Sequence, residues 1–528
     1  MLWIYIAVGA VFLAVAVHDV VQRKHAILRN FPIIGHLRYI LESVGPELRQ
    51  YIVTDNDEER PFSRDQRRWI YASSKRENNY FGFGSDNEME RAEHYLIVKQ
   101  SAFPIDDPNR GEPGYDPNHA IPCAKVMGAR RKRLKAFRPA SVVNVSGMSY
   151  GSLSGHAVEA MNRGCAIAGC LQSTGEGSVA PHHLHGGDLI WQIGTGYFGC
   201  RTPEGGFSLD RLREVVESIP RIRALEIKLS QGAKPGLGGV LPAAKITSEI
   251  SKIRGVPMGR DCISPASHKE FKDVDGLLDF AERLAEATGL PVGIKSAVGD
   301  LEFWKELARL LERGDRGLDF ITIDGGEGGT GAGPLVFADH VALPFKIGFA
   351  RVYKTLAERG VDKQLVLIGS GKLGFPESAL LAFALGCDMV AVGREAMMAV
   401  GCIQAQRCHT GHCPTGVATH NKWLVRGLEP TLKAARLANY ILTLRKDVLS
   451  LCRACGVRHP SSIGSEHLDI LDGRYGAASI EEVFGYLPGY GKPGEKDVAE
   501  ISRIMGEPES LSRAIRGAGA PANVSAEA

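Results

Sequence analysis

Short apolar runs recur along this chain, separated by glycine-rich loops and by longer segments of helical period. The runs are VVNVS (142–146), AIAGCLQ (166–172), LIWQIG (189–194), LEIKL (225–229), PVGIKS (291–296), FITID (320–324), LVLIG (365–369) and MVAVG (389–393). Brief, β-branched, nearly continuous apolar stretches suit strands buried on both faces of a parallel sheet. Between them lie GHAVEAMNRG, LLDFAERLAEATG, FWKELARLLERG and PESALLAFALG, which read as helices. Strand and helix alternating eight times over about 250 residues predict a (β/α)8 barrel of the TIM type. A doubly wound open sheet is the alternative. The unusual residues favour the barrel. MSYGSLSG, STGEGS, TGYFG, SQGAKPGLGG, DGGEGGTGAGP, SGKLG and GREAM all lie at the ends of runs. A barrel gathers such loops on its C-terminal face, where these enzymes keep their active sites.

The N-terminus has a different pattern. LWIYIAVGAVFLAVAV (2–17) is continuously apolar, and with Val20 and Val21 it approaches the roughly 20 residues of a membrane helix. Arg23, Lys24, His25 and Arg29 follow it, and no basic residue precedes it. The positive-inside rule then predicts a single-pass protein of the cell membrane with its catalytic domain in the cytoplasm. A cleaved signal peptide would want a basic start and a small-residue cleavage site. FPIIGHLRYILESVG (31–45) is apolar-rich and suits the membrane surface or the body of the protein. The expected division is an anchor (1–22), an irregular N-terminal extension (23–139), the barrel with a cysteine loop (140–420) and a helical C-terminal extension (421–528).

Composition narrows the class. Of 528 residues, 44% are hydrophobic and 23% charged, ordinary values for a folded protein. A net charge of +3, from 63 basic against 60 acidic side chains, gives no argument for nucleic acid. RRKRLK (130–135) reads as a solvated face. Eleven cysteines in so long a chain do not form a disulfide framework.

Several residues carry candidate chemistry. Gly369, Ser370, Gly371, Gly393 and Arg394 end the last two strands, where barrels commonly bind phosphate. Gly326, Gly328 and Gly331 match G-x-G-x-x-G, but no mononucleotide fold frames them, so the loop is read as clearing space for a flat ring. Lys228 and Lys295 sit inside strands, where an ammonium is costly unless paired with a charge. Lys234 adds a third cation and Glu176 a carboxylate. Cys402, Cys408 and Cys413 fall within one short loop in CIQAQRCHTGHCP. Thiolates select zinc or iron–sulfur clusters, and neither gap suits a zinc knuckle. From the residues alone, a cluster and a chance grouping both stay open. Cys452 and Cys455, in LCRACG, read as packed cysteines at a helix end, with a redox pair as the alternative.

GMSYGSLS, STGEGS, LEIKLSQGAKPGLGGVLPAAKI, ISPASHKEF, GGTGA and GCIQAQRCHTGHCPTGVATH together resemble the FMN-binding synthase domain of glutamate synthase, and most closely its free-standing relatives. The resemblance spans about 147–420. It implies a [3Fe-4S] cluster on Cys402, Cys408 and Cys413. It places Met148, Ser149, Tyr150, Gly151 and Ser152 along an FMN, Lys295 at its pyrimidine side, and Gly328, Gly329, Thr330, Gly331 and the strand-end glycines around ring and phosphate. Glu176 and Lys234 would be catalytic. Lys228, Gln231, Arg254 and Thr195 would bind 2-oxoglutarate. Two departures stand out: the family's SGHDGG reads DGGEGG from Asp324, and its ISPPPHH reads ISPASHK.

The implied reaction is reduction of 2-iminoglutarate, from 2-oxoglutarate and ammonia, to L-glutamate. N-methylglutamate-type synthesis on another amine and a noncatalytic electron-relay subunit are the alternatives. The family's glutaminase domain, its β-helix and a pyridine-nucleotide domain are not visible in this sequence. The expectation is therefore nitrogen from free ammonia, an amine or a separate partner. Electrons are expected from a ferredoxin-like protein or a membrane carrier.

Overall fold

The computed structural model describes residues 1–505 apart from 23, 55–58, 81, 86 and 113–114. Arg23, counted above among the basic residues after the apolar run, and the tail 506–528 lie outside the described residues. Two compact units divide at Trp69/Ile70. In the first, Leu2–Val21 forms one helix of 20 residues, long and apolar enough to cross a membrane. Helix Gly35–Leu48 follows, and buried Asp19 accepts hydrogen bonds from the Ile33 N–H (2.9 Å) and His36 Nε2 (3.0 Å).

The second unit holds a closed eight-stranded parallel barrel. Its strands are β1 (Val143–Val145), β2 (Gln172–Ser173), β3 (Leu189–Ile193), β4 (Ile222–Lys228), β5 (Val292–Ala297), β6 (Phe320–Asp324), β7 (Val366–Ser370) and β8 (Met389–Val392). Closure is made by β8 on β1, with Val390 beside Val143 and Val392 beside Val145. The open sheet is thereby excluded. AIAGCLQ is not a strand throughout. Ala166 to Ala168 instead continue helix α1 (Gly155–Ala168), capped by the Ser154 side chain and ended by Gly169 at φ 65°. A run of helix formers up to a left-handed glycine is a helix end, and only Gln172–Ser173 remain for the sheet.

Around the barrel, helix α2 (Phe345–Ala357) covers β6 and β7, and the long helix α3 (Pro430–Ala454) packs on α1. A Cβ at Gly164 would lie 2.8 Å from Leu437 Cβ, so the α1–α3 approach needs glycine there. The extensions are not independent appendages. Glu93–Val98 pairs antiparallel with Leu468–Asp472, which pairs in turn with Ala477–Ser479. The C-terminal extension therefore carries strands as well as helices. Cys452 and Cys455 are buried free thiols at the end of α3.

The basic run is a solvated face only in part: Arg130, Lys132 and Lys135 are exposed, while Arg131 and Arg133 are half-buried. Arg133 reaches Glu282 at 2.5 Å and Asp319 at 3.0 Å, and Arg131 lies 3.6 Å from Glu282. Lys125 pairs with Asp388 at 3.0 Å and donates to the Leu365 carbonyl at 2.8 Å. Asp319, Leu365 and Asp388 immediately precede β6, β7 and β8. Residues 121–139 thus close the N-terminal end of the barrel with matched charges. The carboxylates lie far along the chain, which is why the run looks wholly solvated in sequence.

Candidate functional site

Alternation along the strands decides which side chains reach the interior. In β4, Glu226 turns inward and Leu225 and Ile227 face the helices. Gln192 Nε2 (2.6 Å) and Thr322 Oγ1 (2.7 Å) donate to Glu226, a polar layer where barrels are usually packed with aliphatic side chains. Lys228 stands above it, in register with Lys295 of β5. Two buried ammoniums therefore stand side by side at the C-terminal rim.

They are compensated differently. Lys295 lies 3.4 Å from Asp324 Oδ1 and 3.5 Å from Ser146 Oγ. The other oxygen of Asp324 accepts from the Gly232 N–H at 2.8 Å. A Cβ at Gly232 would fall 1.8 Å from the Gly325 carbonyl, so only glycine lets these two loops meet. Lys228 lies 3.1 Å from Glu176 Oε2 and donates to Gln231 Oε1 at 3.1 Å. Gln231 in turn donates to the Gly329 carbonyl at 2.9 Å. Burial pushes the Glu176 carboxyl up, but Lys228, Lys234 and Arg254 together hold it below the ordinary carboxylate range. Burial pushes Lys234 below the ordinary lysine range. Glu176 opposes that shift, and Lys228 and Arg254 add to it. Arg254 is buried, donates to the Tyr150 carbonyl at 2.8 Å and lies 5.1 Å from the centre of the Phe198 ring. Its Nε is buried without a hydrogen-bond partner. Around Glu176, three cations thus face one carboxylate.

The loop after β1 wraps this cluster. Met148 is half-buried, and the Ser149 and Ser152 hydroxyls lie 3.0 Å apart. The Tyr150 hydroxyl donates to Glu249 at 2.5 Å, and its ring packs on His182 and His420. Gly151 has φ 108°, and a Cβ there would press on Arg254 Nη2 at 2.9 Å. Thr195 Oγ1 donates to the Pro265 carbonyl at 2.6 Å and lines a cavity of about 280 Å³.

Opposite lies the loop with Gly328, Gly329, Thr330 and Gly331. Arg394 donates to its Glu327 carbonyl, and Thr330 Oγ1 donates to the Ala332 carbonyl at 3.2 Å. Ser370 Oγ lies 3.4 Å from Ser146 Oγ. Gly371 has φ 140°, and Gly393 precedes a short helix, Arg394–Ala399. Gly369 does not belong to this group. Its Cβ would meet Phe345, Leu373 and Cys387 at 2.8 to 3.0 Å, so it faces α2, one residue out of phase with inward-facing Ser370. It serves close strand–helix packing rather than a phosphate.

Cys402, Cys408 and Cys413 share the loop after β8. Among the described residues, no three metal-ligating side chains converge on a ready-made metal site. What fits a soft metal is the donor chemistry. Burial pushes the Cys413 thiol up, but N–H groups of Ala418, Thr415 and Val417 and the Thr415 hydroxyl bring it below its usual value. Backbone N–H groups that favour a thiolate suit a metal-binding cysteine. Burial pushes Cys402 up to about 12 and raises Cys408. The Cys402 carbonyl accepts from the Tyr71 hydroxyl at 2.8 Å, and Cys402 Sγ accepts from the Gln404 N–H at 3.4 Å.

Sequence reasoning passed over Asp324, Lys245 and His420. Asp324 lay in the departure DGGEGG, and an acid ending a buried strand beside a lysine strand is a readable pairing signal. Lys245, a lone lysine in the apolar LPAAKI, was visible too. His420 gave no signal of its own.

The fold is that of a barrel enzyme whose polar chemistry gathers at one rim. Residues 118–458 match the conserved region in glutamate synthase. The glutamate synthase large subunit-like protein YerD of Bacillus subtilis (strain 168) is 38% identical over 491 residues, covering 88% of this chain and 93% of YerD. The archaeal glutamate synthase [NADPH] of Methanocaldococcus jannaschii is 35% identical over 344 residues, covering 64% of this chain and 63% of that protein. Among solved structures, the flavin-binding domain of baker's yeast flavocytochrome b2 aligns at 14% identity over 77% of this chain and 79% of its own, with a TM-score of 0.42, too distant to carry an argument. The chain belongs to the glutamate synthase family, as its motifs indicate, and is an oxidoreductase of the glutamate synthase type.

Proposed function

We propose that this protein reduces 2-iminoglutarate, formed from 2-oxoglutarate and ammonia, to L-glutamate at the C-terminal rim of its barrel. The carrying observation is the charge imbalance around Glu176. Lys228, Lys234 and Arg254 leave a net positive site in low-dielectric surroundings, which a dicarboxylate would neutralise. Arg254 suits a carboxylate through its fork of donors, and Lys234 suits the second as a point charge. Glu176, held anionic, draws ammonium to the 2-oxo carbon; once the ammonium has lost a proton to solvent, ammonia adds there and water leaves to give the imine. Lys234, less basic than an ordinary lysine, is the better proton donor to the developing amine nitrogen.

The residues fit FMN. Lys295 and the buried, unpartnered Ser173 hydroxyl line a cavity of about 20 Å³ beneath the rim, polar groups suited to the acceptor-rich edge of a flavin ring. Gly371, Gly393 and Arg394 lie at the strand ends where barrels bind phosphate. FMN there would supply the hydride chemistry that turns an imine into an amine. Cys402, Cys408 and Cys413 would hold an iron–sulfur cluster of the [3Fe-4S] type, supplying one-electron transfer from a separate donor. The helix Leu2–Val21 supports anchoring in the cell membrane with the barrel in the cytoplasm. That orientation makes a membrane carrier or a ferredoxin-like protein an accessible donor.

An anaerobic single turnover tests the reading. Chemically reduced protein mixed with 2-oxoglutarate and ammonium is expected to give one glutamate per flavin. With methylamine, N-methylglutamate in its place would redirect the amine specificity. Loaded protein that forms neither product would be an electron relay.

A further inference from the structure

Lys245 ends a single turn, Ala243–Lys245, and is 4% exposed. Its ammonium donates to the Cys408 carbonyl at 2.6 Å and the Ser152 carbonyl at 3.4 Å. The first carbonyl belongs to the cysteine loop and the second to the loop after β1. The two neighbouring carbonyls are held as well. Arg254 donates to that of Tyr150 at 2.8 Å, and His420 Nε2 lies 2.9 Å from that of Gly151. Three successive carbonyls are thus capped by three side chains, which fixes Lys245 in place. Among the described residues no carboxylate pairs with it, and the ionisable groups of opposite sign that it faces are the Cys408 and Cys413 thiols. A buried ammonium solvated only by carbonyls remains an uncompensated charge.

We propose that Lys245 is the fixed counter-charge of the iron–sulfur centre, joining the cysteine loop to the flavin-side loop and making the centre easier to reduce. This rests on the cluster assigned above to Cys402, Cys408 and Cys413. One electron from the donor adds one negative charge to the thiolate-bound centre, and a nearby fixed cation favours that reduced form. Lys245 touches backbone carbonyls and no reacting atom, so it is a positioning residue.

The test is an anaerobic potentiometric titration of the full chain with dithionite, followed by EPR, with iron content measured in parallel. Lys245→Met is expected to disfavour reduction at least tenfold, a midpoint at least 59 mV more negative for one electron. Lys245→Arg is expected to restore the wild-type midpoint. His420→Gln, which loosens the neighbouring carbonyl without removing a fixed charge, should leave it in place. Iron lost from Lys245→Met and kept by Lys245→Arg would also support the counter-charge. Should Lys245→Met not fold, Lys245→Gln carries the same expectation. An unmoved midpoint in the iron-loaded neutral variant would overturn the proposal. So would a shift, or an iron loss, as large in Lys245→Arg. Wild-type protein without iron would sink the cluster assignment and this inference together, whereas iron-loaded wild type with an indifferent Lys245 would sink the inference alone.

Discussion

The two ends of the barrel bury charge in opposite ways. At the N-terminal end, Arg133 meets Glu282 and Asp319, and Lys125 meets Asp388. At the C-terminal rim Lys295 is paired with Asp324, but Lys228, Lys234 and Arg254 share Glu176, and among the described residues no carboxylate pairs with Lys245. Both ends carry the same residue types at similar burial. A balanced network is complete as the chain folds. An unbalanced one leaves room for anions from a ligand, and that deficit is what supports the rim as the proposed functional face.

Substitutions can break this contrast. The largest effect is expected at the closed end. Arg133→Met strands two carboxylates and should cost about 3–5 kcal/mol of stability in a denaturant titration. Affinity of the folded fraction for 2-oxoglutarate should not change. Arg254→Gln is expected to do the reverse. Losing a charge-assisted hydrogen bond worth about 1.5–3 kcal/mol weakens 2-oxoglutarate binding on the order of 10- to 100-fold by calorimetry, with the melting temperature little changed. Gly164→Ala touches neither end. It forces α1 from α3 and should destabilise by about 1–3 kcal/mol, read as a lower denaturation midpoint with binding intact.

The smallest effect is a pH dependence. Burial lowers Lys234, so in the free protein it loses its proton below the ordinary lysine value. The cation is lost as pH rises, and at a lower pH than an ordinary lysine would lose it, so 2-oxoglutarate affinity should fall on the alkaline side. Lys234→Arg should move that fall to higher pH. Measuring binding without ammonium keeps ammonia's own titration out of the profile.

How much of this could be read from sequence depends on where the information lies. The strand runs carry their own period, so the barrel and the rim position of Lys228 and Lys295 are local facts. AIAGCLQ failed because alanine and isoleucine before a left-handed glycine suit a helix end equally well. Gly369 failed because motif proximity ignores strand phase, and Ser370, one residue on, faces the site instead. RRKRLK shows its exposed lysines but not the inward role of Arg131 and Arg133, because their partners, Glu282 and Asp319, are remote in the chain. Lys245 was missed for the same reason, since its significance is where Cys408 and Ser152 lie in space.

The central claim is that the rim's surplus positive charge is a dicarboxylate site. Titrating oxidised, FMN-loaded protein calorimetrically with 2-oxoglutarate and with its uncharged dimethyl ester tests it most directly. Saturable binding of the dianion, weakened by Arg254→Gln and absent for the ester, is the predicted result. Equal binding of both compounds, or none by protein that retains its flavin, would contradict it.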